Sequence, residues 1–162
     1  MSQTLPAHRA TTELEAVATT RQYVTMTIAD QLFGIPVLTV QDVLGPQKIT
    51  RVPLSPPEVA GSLNLRGRVV TAVNMRKRLS LPPQADESDN MSIVVEHGGE
   101  LYSLIIDEVG EVLSLSNSIF ERNPGTLDPR WREIAAGVYR LDKELMVVLD
   151  VNRVLDISNI AA

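Results

Sequence analysis

The strongest constraint on this 162-residue chain is that it repeats itself. Shifted by 69 residues, Val24 meets Ile93, Met26 meets Val95, Leu32-Phe33 meets Leu101-Tyr102, Ile35 meets Leu104, Val40 meets Val109, and Asp42-Val43-Leu44 meets Glu111-Val112-Leu113. Shifted by 76, Ala60-Gly61 meets Ala136-Gly137, Leu65 meets Leu141, Asn74 meets Asp150 and Leu79 meets Leu155. The change of offset places seven extra residues in the second copy, between Leu113 and Ala136. A unit of about five short strands thus occurs twice. Five short strands laid out flat would expose two edges, so each unit is expected to curl into a small barrel. Barrels that small bury little alone, so the copies should pack face to face and share apolar surface.

Local signals fill in the unit. Tyr23 to Ile28 is β-rich, "ADQ" supplies a turn, and "LFGIPVLTVQDVLG" resumes extended structure until Gly45-Pro46. "LSPPEVAG" reads as a loop with one short helical turn, because Pro56 and Pro57 can only open a helix. "RVVTAVN" is a buried strand and "MRKRLSLP" a single helical turn. The polar, Pro-rich "LPPQADESDN" (81–90) is a connector. Beyond it, Gly98-Gly99 joins two strands as a hairpin, and a third strand spans Glu108–Leu115. "ERNPGTLDPRWRE" is a longer loop with a short helix, followed by two strands about a turn at Asp142-Lys143 and a closing helix. These signals predict a flexible tail over 1–20, one domain over 21–157, and a short tail over 158–162. Within the domain, a first barrel covers about 30–80 and a second about 90–150, with strand exchange possible at the ends.

Composition narrows the function classes. Aromatics are only 4% of the chain, so the core must come from Val, Leu and Ile, which favours strands. There is no cysteine, which excludes disulfides, thiolate nucleophiles and sulfur-ligated metals and points to a reducing cytoplasm. The opening "MSQTLPAHRATTELEAVATT" lacks a basic region followed by an apolar run, so it is not a signal peptide. No apolar stretch approaches the roughly 20 residues of a membrane helix. A net charge of −5 argues against nucleic acid as a partner.

Catalytic equipment is scarce. His8 lies in the tail and His97 in the hairpin turn "EHGGE". Glu96, His97 and Glu100 have the chemistry to clip a metal, but strand ends carry such residues for solubility, so no metal is expected. Asp107 and Glu108 are adjacent on a strand and point to opposite faces, which disqualifies them as an acid–base pair. Asn74 and Asp150 stand at equivalent repeat positions and read as helix caps. No phosphate loop, nucleophile elbow or zinc-protease motif occurs. Trp131 is expected to plug the edge of the core. No cofactor and no catalytic residue is expected.

One stretch stands apart: "SLNLRGRVV", Ser62 to Val70. Its alternation predicts an amphipathic strand with Leu63, Leu65 and Val69 inward and Asn64, Arg66 and Arg68 in water. Alternation does not explain why Asn and Arg were chosen, nor Gly67. Arg carries a planar fork of donors suited to a carboxylate, and Gly67 permits a turn or a close backbone approach. The residues alone leave a plain surface strand and a partner contact both open.

The same residues carry a resemblance. "SLNLRGRVV" looks like the N-L-R-G signature of the CheW-type chemotaxis coupling proteins. "QYVTMTIADQLFGIPVLTVQDVLG", "ITRVPLSPPEVAGSLNLRG" and "LYSLIIDEVGEVLSL" are similar to that family's opening, its proline-containing run and its second-half motif. The likeness runs from about Gln22 to Ile157. It implies a mainly β fold of two intertwined five-stranded SH3-like barrels with a few short helices. It implies no catalysis. It implies an adaptor between chemoreceptor cytoplasmic tips and the regulatory domain of a CheA-type histidine kinase. Carried over, Arg66 matches the arginine linked to receptor binding, with Asn64 and Gly67 beside it, and Val40 and Asp42 match positions of partner contact. Thr71 and Asn74 depart from the family's usual proline and aspartate, and Ser103 stands where glycine is common. The alternative reading is a small-ligand-binding or regulatory barrel of another two-component pathway; barrels this small are expected to be filled by their own side chains.

Overall fold

The computed structural model describes residues 19–156 except 85, 123 and 126. The expected tails therefore lie outside the described residues, save that Thr20 already belongs to a strand. The described residues form eleven strands. The first copy supplies β1 (Thr20–Ile28), β2 (Gln31–Pro36), β3 (Val40–Leu44), β4 (Val59–Leu65) and β5 (Arg68–Asn74). The second supplies β6 (Met91–His97), β7 (Glu100–Ile106), β8 (Glu108–Ser116), β9 (Phe120–Glu121), β10 (Ala135–Arg140) and β11 (Leu145–Leu149).

The strands form two sheets, ordered β8-β1-β2-β11-β10-β9 and β3-β6-β7-β5-β4. Each sheet draws on both copies, so the boundary between sheets is not a boundary along the chain. The copies trade strands reciprocally: β3 pairs with β6, and β8 pairs with β1. Register preserves the repeat. Val40↔Val95 and Val43↔Ile93 in one sheet answer Val109↔Met26 and Val112↔Val24 in the other. The parallel contact Thr71↔Tyr102 likewise answers Val147↔Phe33. Bulges recur at matched places, between Val59 and Gly61 and between Ala135 and Gly137.

Two-residue turns with both residues in the left-handed region close three hairpins: Ala29-Asp30, Arg66-Gly67 and Gly98-Gly99. That backbone matches the natural twist of paired strands. Asn74 and Asp150 cap the helices Met75–Arg78 and Val151–Val154, accepting from the Lys77 and Arg153 N–H groups. The helical turn expected in "LSPPEVAG" is instead a single turn, closed by Val59 N–H to Pro56 O at 3.0 Å. Two three-residue 3₁₀ turns follow β2 and β8, Val37–Thr39 and Asn117–Ile119; the first interrupts a segment expected to be extended.

The core has three parts. A large shared cluster joins Met26, Ile28, Phe33 and Ile35 to Ile93, Val95, Leu104 and Ile106, sealed by Trp131, Val154 and Leu155. Trp131 donates to Leu79 O at 3.0 Å and meets Phe33 edge-on at 5.3 Å. Each sheet also keeps a private cluster: Leu63, Val70, Ala72, Val94 and Leu101 in the five-stranded one, and Tyr23, Tyr139, Met146 and Val148 in the six-stranded one. The five-stranded sheet is strongly curled: β3 and β4 are its opposite edges, yet Asp42 on β3 reaches Arg66 at the β4–β5 turn. In the six-stranded sheet, Leu113 and Leu115 of β8 pack with Phe120 of β9 around the same private cluster.

Candidate functional site

The segment singled out in the sequence is a hairpin tip. Leu65 pairs with Arg68, so Arg66 and Gly67 are the two turn residues, at φ 52 and 83. Gly67 adopts that backbone freely; Arg66 does so against the usual preference of a residue with a Cβ. Asn64 stabilises the turn, its Oδ1 accepting from the Gly67 N–H at 2.9 Å. The turn also corrects one expectation. Val69 was to point inward, but the chain reverses at Arg66-Gly67 and Val69 stands opposite Asn64 on the outer face, 74% exposed.

Arg66 reaches across to β3, where its Nη2 lies 3.2 Å from Asp42 Oδ2. The arginine side chain is 81% exposed and the aspartate 27%. Asp42 Oδ1 also accepts from the Val43 N–H at 2.9 Å. The fold thus brings Asn64, Arg66, Gly67 and Asp42 into one surface feature from two segments of the chain. Val40 sits beyond the β3 bulge, half-buried against the shared core rather than in the ion pair. Exposed Val43 follows Asp42 along β3, and exposed Val69 lies on β5. An ion pair this exposed contributes about 0–1 kcal/mol to stability. A strained arginine holding an open salt bridge is therefore a poor stabilising device.

Several polar groups elsewhere are committed to structure. Asp107 accepts from Arg76 Nη2 at 2.6 Å and Nε at 3.1 Å, and from the Ala29 N–H at 2.8 Å. Burial pushes its carboxyl up, but the hydrogen bonds from Arg76 and Ala29, with the Arg76 charge, outweigh burial and hold it below its ordinary value. Sequence reading missed this bracket, since its partners are 31 and 78 residues away. His97 Nδ1 is 2.9 Å from Asn152 Oδ1, and Glu100 accepts from the Tyr102 hydroxyl at 3.2 Å. Among the described residues no three His, Cys, Asp or Glu side chains are grouped to hold a metal. Burial raises the Tyr139 hydroxyl pKa, helped by its hydrogen bond with Tyr23.

A duplicated, strand-swapped pair of small curled sheets with an Asn-Leu-Arg-Gly tip is a specific combination, and comparison with known proteins decides its kinship. The model of the CheW-like domain matches residues 22–159. The chain belongs to the CheW-like domain family. The chemotaxis protein CheW of Helicobacter pylori is 27% identical over 134 residues, covering 83% of this chain and 81% of that protein. The CheW of Bacillus subtilis is 29% identical over 124 residues, covering 76% and 80%. The crystal structure of the scaffolding protein TtCheW from Thermoanaerobacter tengcongensis shares the fold, with a TM-score of 0.77 at 24% identity over 85% of this chain and 94% of that one. The family is non-catalytic, and the relatives that this chain resembles are chemotaxis proteins.

Proposed function

We propose that this CheW-like protein is a cytoplasmic adaptor that couples chemoreceptor cytoplasmic tips to the regulatory domain of a CheA-type histidine kinase. The Asn64–Gly67 tip with Asp42 forms its receptor-binding feature, and Val40 holds β3 in place from beneath. The observation that carries the reading is Arg66: 81% exposed, at φ 52, and paired with Asp42 on the far edge strand of the sheet. An exposed planar donor fork suits a protein surface that offers carboxylates. Among the described residues no helix is long and apolar enough to cross a membrane, which fits a protein that meets its partners through docking.

The test is Arg66→Glu. The charge reversal sets two carboxylates together where one pair stood, on a surface that contributes little to folding. Capture of the receptor cytoplasmic fragment is expected to fall at least tenfold while circular dichroism and the melting curve stay near those of the parent. Undiminished capture would remove Arg66 from the site.

A further inference from the structure

The private clusters of the two sheets occupy equivalent positions but are filled differently. In the six-stranded sheet, Tyr23 and Tyr139 meet edge-on with ring centroids 5.3 Å apart and their hydroxyls 3.2 Å apart, and Met146 completes the packing. The repeat places Ser92, Leu63 and Val70 at those three positions in the five-stranded sheet. Register confirms the match, since Leu63↔Val70 answers Tyr139↔Met146. A fourth position follows suit. A Cβ at Gly34 would sit 2.9 Å from Met146 Sδ, so the methionine side chain would have to shift to admit it. Its counterpart is Ser103, admitted because Val70 is shorter than methionine.

Beside Ser92 and Leu63, which stand where the other sheet has its two tyrosines, lies a cavity of about 160 Å³, lined also by Ser103, Ile49, Ile105 and Asn90. Ser103 is fully buried, and its Oγ has no hydrogen-bond partner. Asn90 Oδ1 is likewise buried and unpartnered. Native interiors rarely leave such atoms unpaired. Glu87 is the one charged residue of the lining, and no Lys or Arg joins it. Arg76 feels the Glu87 charge, but its guanidinium is committed to Asp107 and to Pro82 O. The cavity therefore offers oxygen acceptors, a negative charge and aliphatic walls. A group with several donors and no acceptor, carried on a short hydrocarbon, complements it.

We propose that the five-stranded sheet holds a binding site for a small alkylammonium ligand, its ammonium on Asn90 Oδ1, Ser103 Oγ and the Glu87 carboxylate and its chain against Leu63, Ile49 and Ile105. This site is separate from the Arg66 tip and does not rest on the adaptor reading. Propylammonium is the probe. A ligand of four heavy atoms binds no tighter than the micromolar-to-millimolar range. Amide resonances of the full-length protein are followed during titration with propylammonium chloride, against sodium chloride and 1-propanol at equal concentrations. Saturable shifts are expected at Ser92 and Ser103, at least threefold weaker in apparent affinity in Ser103→Ala. They are expected to vanish in Ser92→Tyr, which restores the ring found in the other sheet. Should Ser92→Tyr fail to fold, Ser103→Ala decides. The proposal is overturned if propanol matches propylammonium, if Ser103→Ala leaves the titration unchanged, or if neither resonance moves and the cavity holds only water.

Discussion

At Arg66, two small energies separate stability from function. An L-residue in the left-handed region costs about 1–2 kcal/mol, and its exposed pair with Asp42 returns about 0–1 kcal/mol. Asparagine tolerates the same backbone with less strain. Arg66→Asn is therefore expected to keep the urea midpoint within about 1 kcal/mol of the parent, or raise it, while receptor capture falls. A loss of more than about 2 kcal/mol would mean that Arg66 is a structural residue after all. Asp107 is the opposite case, a charged group that does stabilise. Its folded pKa lies below the ordinary 3.8, so its contribution is present above that value and disappears as pH drops through the folded pKa. Asp107→Asn should cost about 1–3 kcal/mol at neutral pH and flatten the fall in stability below about pH 4. Urea melts of both proteins at pH 3 and pH 7 measure this; an unchanged acid limb would contradict the assignment.

Elements were legible where apolar spacing or turn chemistry is local, and obscure where geometry comes from afar. Gly98-Gly99, the capping pair Asn74 and Asp150, and the strand over Arg68–Asn74 all announce themselves within a few residues. Arg66-Gly67 did not, because the apolar alternation runs on to Gly67 and hides the reversal; placing Val69 inward followed from that. The 3₁₀ turns span three residues each, too few to set a period. Asn64, Arg66 and Gly67 stood out by residue type, but their closure against Asp42 joins positions 24 residues apart and needs the curled sheet. The bulges show what the Ala-Gly match in the repeat was for. A Cβ on Gly61 would strike Thr50 O, and one on Gly137 would strike Glu121 O. These carbonyls belong to the segments that bridge onto β4 and β10. Gly61→Ala and Gly137→Ala should each lose about 1–3 kcal/mol in urea titration. Gly45→Ala, with nothing within 4 Å, is the control that should stay within about 0.5 kcal/mol. Equal melting of all three would show that the close approach is unimportant.

For the molecule as a whole, the reciprocal trade of strands makes each half of the chain a partner that the other cannot fold without. β1 needs β8, β2 needs β11, and β3 needs β6, so every sheet in the first half ends on an edge that only the second half covers. The largest apolar cluster is also made jointly. Cutting the chain in the polar connector, between Asp86 and Glu87, should therefore yield two fragments without cooperative structure, each with exposed edges and half a core. Mixing them should restore the fold, because the connector itself contributes no strand. The chain's single tryptophan makes this visible. Trp131 lies in the second fragment, while its aromatic neighbour Phe33 and its hydrogen-bond acceptor Leu79 O lie in the first. Its emission should shift to shorter wavelength on mixing and follow a one-to-one titration. A fragment that folds alone, with dispersed amide resonances and an already buried tryptophan, would show that the two copies are independent units whose trade of strands is incidental.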